Sequence, residues 1–243
     1  MGSGAIAIVD YGAGNLRSVV HAVAHAGLDA IVTDDASTIM HAPGVILPGV
    51  GAAADTMDNL HRRDLVGVVR DVIAAGTPFL GVCMGMQALF TLSEEGGAHQ
   101  CLDVFPGTVR RFAPGLSIPH MGWNRVHQVA PHPIWDGIPD GAHFYFVHSY
   151  YVEPGDSAIV IGATDYGVRF PAVIARGNVV ATQCHPEKSA DAGLRLYANF
   201  GRIVSGTLPL VGATTNAGVL ACRTVTSESC LSRHLMPCRP RGL

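Results

Sequence analysis

The chain has 243 residues, 48% of them hydrophobic and 14% charged, with a formal net charge of −3. That length fits one large domain or two small ones, and a charge so sparse and balanced excludes a nucleic-acid footprint. No apolar run approaches membrane-spanning length, and the opening Met1-Gly2-Ser3-Gly4 lacks the basic region of a signal peptide.

In chain order, residues 5–9 form an apolar strand that ends at Asp10, followed by the turn Tyr11-Gly12-Ala13-Gly14. From Asn15 the period changes: Leu16, Val19, Val20 and Val23 fall at helical spacing, and Gly27 is a natural stop. Strands are expected at 30–33 and at 45–47, the latter running into Pro48-Gly49-Val50-Gly51. The Asp34-Asp35 pair reads as polar loop. A helix over about 57–75 would turn Leu65, Val68, Val69, Val72 and Ile73 inward, with Gly76 as its cap. Short apolar strands alternating with helices indicate a mostly parallel sheet covered on both faces, an α/β three-layer sandwich. Ligands bind such sheets beyond the carboxyl ends of the strands.

Past Gln87 the character turns antiparallel, with strands expected at 104–112, 118–129, 143–152, 157–164, 172–175 and 179–183. Residues 131–135 suit a loop or one helical turn. A last helix starts near Ala190 and carries Leu194, Tyr197, Ala198 and Ile203 inward. The domain therefore spans 1–205. Residues 206–243 lose all periodicity and are expected to form a disordered tail. Six cysteines (83, 101, 184, 222, 230, 238) include no C-x-x-C pair. The even spacing of the last three lacks a matched fourth ligand, so no metal site is expected. A free reactive cysteine suits a reducing, cytoplasmic location.

That cysteine is Cys83, in Phe79-Leu80-Gly81-Val82-Cys83-Met84-Gly85-Met86-Gln87. A strand that turns sharply into a helix pushes a nucleophile outward and needs small neighbours, here the two flanking glycines. The helix N-terminus favours thiolate over thiol. In isolation, a buried cysteine in a glycine-rich turn would be the better reading. Gln183-Cys184-His185-Pro186-Glu187-Lys188 supplies a histidine at a strand end and a carboxylate two residues on, able to fix the imidazole tautomer. Gly49-Val50-Gly51 offers backbone N–H groups that, with that of Met84, suit an oxyanion. Two rival motifs fail. Tyr11-Gly12-Ala13-Gly14 lacks the third glycine of a dinucleotide fingerprint, where Arg17 stands, and His21/His25 lack the glutamate of a zinc protease.

Together these residues resemble the class I (triad-type) glutamine amidotransferases, and within them the glutaminase subunits of imidazole glycerol phosphate synthase, from Ile6 to about Val204. The carriers are Asp10-Tyr11-Gly12-Ala13-Gly14-Asn15-Leu16-Arg17-Ser18-Val19, Leu47-Pro48-Gly49-Val50-Gly51, the Cys83 elbow, His120-Met121-Gly122-Trp123-Asn124, Val147-His148-Ser149-Tyr150-Tyr151 and His185-Pro186-Glu187-Lys188-Ser189. The resemblance implies that Cys83 attacks the glutamine amide, His185 is acid and base, and Glu187 orients it. Val50 and Met84 would form the oxyanion hole, and Gly51, Gln87, Glu95, Ser149 and Tyr150 would hold the substrate. No cofactor is implied. Ammonia would pass to a (β/α)8-barrel cyclase in a heterodimer, with Asn15, Trp123 and Lys188 near the docking face. A buried core tryptophan is the alternative for Trp123. Other functions left open are service to a different synthase, a non-catalytic scaffold, or hydrolysis of other amides. Cys184 departs from the family, which usually has Phe there. A second thiol near Cys83 would be open to disulfide formation on oxidation.

Overall fold

The computed structural model describes residues 4–209. Expectations for the rest of the chain, including Cys222, Cys230 and Cys238, lie outside the described residues. The element order is β1 (Ile6–Val9), α1 (Leu16–His25), β2 (Ala30–Thr33), α2 (Ala36–His41), β3 (Val45–Leu47), α3 (Ala53–Arg62), α4 (Leu65–Ala74), β4 (Phe79–Val82), α5 (Met84–Gln87), β5 (Phe90–Ser93), β6 (His99–Gln100), β7 (Phe105–Arg111), β8 (His120–Gln128), β9 (Ala142–His148), β10 (Tyr150–Pro154), β11 (Val160–Tyr166), β12 (Val168–Arg176), β13 (Val179–Thr182) and α6 (Ala190–Val204). Short 3-10 turns stand at Pro133–Trp135, Ser157–Ile159 and Pro186–Lys188.

Nine strands form one sheet in the order β2-β1-β3-β4-β13-β12-β11-β8-β9. The first five are parallel and the rest join antiparallel, which is the expected α/β sandwich with an antiparallel extension. A second sheet, β10-β7-β5-β6, lies outside that expectation. Alternation along the strands splits the core in two. Ile6, Ile8, Ile46, Leu80, Val82 and Val180 pack with Val19, Val23, Leu196, Tyr197 and Phe200 from α1 and α6. Ala7, Val9, Val45, Leu47, Phe79 and Ala181 pack with α2 to α4 and with Phe90, Phe105, Val109 and Val152 of the second sheet.

Three local expectations are corrected and one helix is added. Residues 57–75 are two helices, beginning already at Ala53 and broken at Asp64, whose φ is 55°. The buried series Ala53, Met57, Leu60 would next reach Asp64, so the apolar stripe cannot run straight through. The Asp34-Asp35 pair is loop as expected and leads into α2, a helix the sequence did not mark, with the Asp35 carboxylate capping it by accepting from Thr38 N–H at 2.7 Å. Residues 143–152 divide at Ser149, because β9 pairs with β8 in the large sheet and β10 with β7 in the small one. On α6 the buried face is Gly193, Leu196, Tyr197, Phe200 and Ile203, with Leu194 and Ala198 only half-buried at its border. Beyond α6, Leu208 N–H bonds back to the Arg202 carbonyl at 3.0 Å and its side chain packs on the core.

Candidate active site

The sheet order brings three chain crossings together. β3, β4 and β13 are neighbours, so Pro48–Gly51, Cys83 and Gln183–His185 leave the same edge side by side, though they lie far apart along the chain. Cys83 sits at φ 53°, ψ −105°, backbone that disfavours any residue with a Cβ and costs on the order of 1–3 kcal/mol. Hydrogen bonds hold it there: its N–H donates to the Thr182 carbonyl at 2.7 Å, and its carbonyl accepts from Met86 and Gln87 N–H at 3.0 and 3.2 Å. Gly85 makes the turn possible, since a Cβ there would stand 1.9 Å from the Leu47 carbonyl oxygen. The helix behind Cys83 is one turn long, Met84–Gln87, because the chain re-enters a strand at Phe90.

His185 is almost fully buried, and its Nδ1 lies 2.8 Å from Glu187 Oε1. Glu187 is also buried at its carboxylate, and the Tyr197 hydroxyl donates to its other oxygen at 3.5 Å. With Nδ1–H directed at the carboxylate, Nε2 is the free nitrogen. It lies close enough to Cys83 for their charges to interact, but outside hydrogen-bonding geometry with any protein atom. Such contacts are often loose before substrate binds. Burial pulls the His185 pKa down, yet the Cys83 and Glu187 charges outweigh it and push it up to about 10. A histidine raised above its unfolded value near 6.5 contributes its full stability below that pH. Between pH 6.5 and 10 only the native state holds the proton, so stability falls across that window and the contribution is gone above it. Urea midpoints of wild type should therefore drop more between about pH 7 and pH 10 than those of His185→Asn.

A cavity of about 150 Å³ opens onto this pair, lined by Val50, Gly51, Cys83, Met84, Gln87, Glu95, Val147, His148, Ser149, Tyr150 and His185. The proposed nucleophile, base, oxyanion donors and substrate-binding residues thus share one cavity, with Glu187 behind it. Val50 is 39% exposed at the rim. Gly49 lies tight against the elbow, since a Cβ there would come 2.7 Å from that of Met84. Glu95 accepts from Ala53 N–H at 2.8 Å, and burial raises its carboxyl above the usual range. Gln87 Nε2 donates to the Tyr150 carbonyl and to Gln183 Oε1, both at 2.9 Å.

Three polar groups that no motif singled out for chemistry also meet here. Gln183 is fully buried and its Nε2 lies 3.7 Å from Cys83 Sγ. His148 Nδ1 donates to the Tyr150 carbonyl at 2.8 Å, and its Nε2 lies 3.0 Å from His120 Nδ1. Burial keeps both rings neutral, with pKa values lowered to about 3 for His148 and about 4 for His120. Gln183 directly follows β13 and stands two residues before His185, the one sequence signal that places it near the base. Cys184 between them is fully buried in the core and its Sγ lies 2.7 Å from the Thr182 hydroxyl, while burial pushes its thiol pKa up.

Trp123 is 54% exposed, so it is not a core residue. It makes an edge contact with Tyr145, and the Lys188 ammonium lies 5.7 Å from the same ring. Met121 beside it is exposed. Asn15 is exposed at the start of α1, where its side chain caps the helix by accepting from Ser18 N–H at 3.4 Å. Among the described residues, no helix is long and apolar enough to cross a membrane, and no cluster of three or more His, Cys, Asp or Glu residues could hold a metal ion.

Known proteins share both sequence and fold. The family model "Glutamine amidotransferase class-I" matches residues 7–203. A Moorella thermoacetica protein named imidazole glycerol phosphate synthase subunit HisH is 51% identical over 199 residues, spanning 82% of this chain and 95% of that protein. One of the same name from Chloroflexus aurantiacus is 53% identical over 202 residues, spanning 81% and 95%. Among solved structures, a glutamine amidotransferase superposes with TM-score 0.67 at 19% identity, covering 83% of this chain and all of that one. PurLQS from Thermotoga maritima gives 0.67 at 17%, covering 84% and 100%. At such identities these two speak for the fold, which agrees with the sheet described above. Sequence likeness over nearly the whole folded region, together with a strained cysteine beside a buried His–Glu pair, shows that the chain belongs to the class I glutamine amidotransferases and, within them, to the HisH subunits.

Proposed function

We propose that this chain hydrolyses L-glutamine for an imidazole glycerol phosphate synthase. The observation that carries the chemistry is the meeting of Cys83, His185 and the Val50–Gly51 rim in one cavity, with Glu187 on the far side of the imidazole. Cys83 Sγ attacks the side-chain amide carbon, and the carbonyl oxygen becomes an oxyanion between the Val50 and Met84 N–H groups. His185 passes its Nε2 proton to the leaving nitrogen, the C–N bond breaks, and ammonia departs from a thioester. His185 then takes a proton from water as it attacks the thioester, releasing glutamate and the thiolate. Gln87, Glu95 and the Ser149–Tyr150 corner bind the amino-acid end. The Glu95 carboxylate suits the ammonium, and Gln87 Oε1, buried without a partner, is an open acceptor.

Ammonia then passes to a (β/α)8 cyclase partner, the subunit that uses it to build imidazole glycerol phosphate. The exposed Met121 and Trp123, beside Tyr145, offer apolar and aromatic groups of the kind enriched in interface anchors, with the exposed Lys188 near the same ring. Glutamate release should be slow for the isolated chain and strongly stimulated by a cyclase subunit with its nucleotide ligand. No stimulation by such a partner would overturn the synthase assignment. Glu187→Gln should lower stimulated turnover by about 10²–10⁴-fold, because the imidazole loses its orienting charge. A non-catalytic scaffold would instead leave Cys83 unlabelled by a glutamine-mimicking electrophile.

A further inference from the structure

We infer that Gln183 is a catalytic residue by contact, whose side-chain N–H is held on the Cys83 sulfur and favours the thiolate. The polarity of its amide follows from its neighbours. The Tyr150 carbonyl can only accept, and it receives His148 Nδ1–H at 2.8 Å and Gln87 Nε2–H at 2.9 Å. That fixes the Gln87 amide, whose second N–H must find another acceptor and meets Gln183 Oε1 at 2.9 Å. The nitrogen of Gln183 is then left facing Cys83 Sγ at 3.7 Å. Turning the Gln183 amide over would set donor against donor at Gln87 and a carbonyl oxygen against the sulfur. The side chains that make this network are nearly or wholly buried: Gln87 is 2% exposed, Cys83 and His148 6%, Gln183 0%.

The sheet explains the placement. Thr182 pairs with Val82 in the parallel β13–β4 register, so one residue further on Gln183 falls beside Cys83. A neutral thiol is a poor acceptor, whereas a thiolate accepts a charge-assisted bond. The contact therefore favours the charged nucleophile. Gln183 transfers no proton. The sulfur lone pair forms the C–S bond, the C–N bond breaks, and the ammonia proton comes from His185. Once acylated, the sulfur is neutral and the contact loses most of its value, so the bond belongs to the state that precedes attack. Through Oε1 the same residue braces Gln87, which ties nucleophile and substrate pocket to one amide.

The test is iodoacetamide labelling of the full-length protein across a pH series, read on the Cys83 peptide by mass spectrometry. This probe needs neither glutamine nor a cyclase. Gln183→Met, close in size but without a donor, should slow labelling at pH 7 by roughly 10-fold, the lower end of the effect of a hydrogen bond to a charged group. Its rate should rejoin wild type at high pH, where the thiolate forms regardless. A purely structural role would change the folded fraction without moving the pH profile. Gln183→Glu keeps the oxygen that braces Gln87 and places a carboxylate oxygen on the sulfur, so its profile should move to higher pH as well. It decides the matter if the methionine variant does not fold. Profiles superimposable on wild type would overturn the role of Gln183. The inference rests on Cys83 as nucleophile. A wild-type Cys83 that labels no faster than an ordinary thiol would overturn that reading and this one together, a different outcome from superimposed profiles.

Discussion

Cys83→Ala is expected to reduce cyclase-stimulated glutamine hydrolysis by about 10⁴-fold or more, while cyclisation supplied with free ammonia continues. No other thiol among the described residues can substitute. Cys184 is fully buried and taken up by Thr182, and Cys101 is buried with its pKa pushed up to about 11 by desolvation. Residual turnover would come from the oxyanion rim and binding alone. The measurement is glutamate release in the presence of a cyclase subunit, alongside imidazole glycerol phosphate formation from ammonium salts. Normal glutamine turnover by the variant would sink the proposed mechanism. The same position reports the backbone strain. Glycine is at ease at φ 53°, ψ −105°, so Cys83→Gly should be more stable than Cys83→Ala by about 1 kcal/mol in urea unfolding.

The second large effect is structural. Gly85→Ala should cost about 3 kcal/mol or more, beyond the usual penalty for an extra core methyl, because its Cβ would meet a backbone carbonyl 1.9 Å away. Relief requires β3 and α5 to separate, which moves the Gly49–Gly51 rim away from Cys83. Loss of stability should therefore come with loss of glutaminase activity in whatever fraction stays folded. Gly67→Ala is the matched control. Gly67 is exposed in the first turn of α4, and a methyl added there would have nothing within 4 Å, so alanine should stabilise by about 0.5–1 kcal/mol. Equal effects at the two glycines would show that close approach at the elbow does not constrain the turn.

Much of this was legible in the chain itself. Short continuous apolar runs located β1, β3 and β4, and helical spacing located α1, to within a residue or two, since these parallel strands are buried on both faces and the helix on only one. The His185–Glu187 contact was also local, two residues joined by a stiff proline. Where the signal was weak, the reading erred. The polar stretch around Asp64 hid a break between two helices, and the short α2 had too few residues to show a period.

What the sequence alone determined was the chemical inventory: a cysteine at a glycine-flanked elbow, a histidine with its carboxylate, and a glycine-rich strand exit. The tertiary structure decided how these meet. Strand periodicity says which side chains point inward but not which strands pair, and pairing depends on the packing of the whole sheet. Only the order β3-β4-β13 sets the oxyanion rim, the nucleophile and the base next to one another. That register also lays Gln183 beside Cys83, and the turn at Ser149 carries the chain from one sheet to the other and closes the pocket.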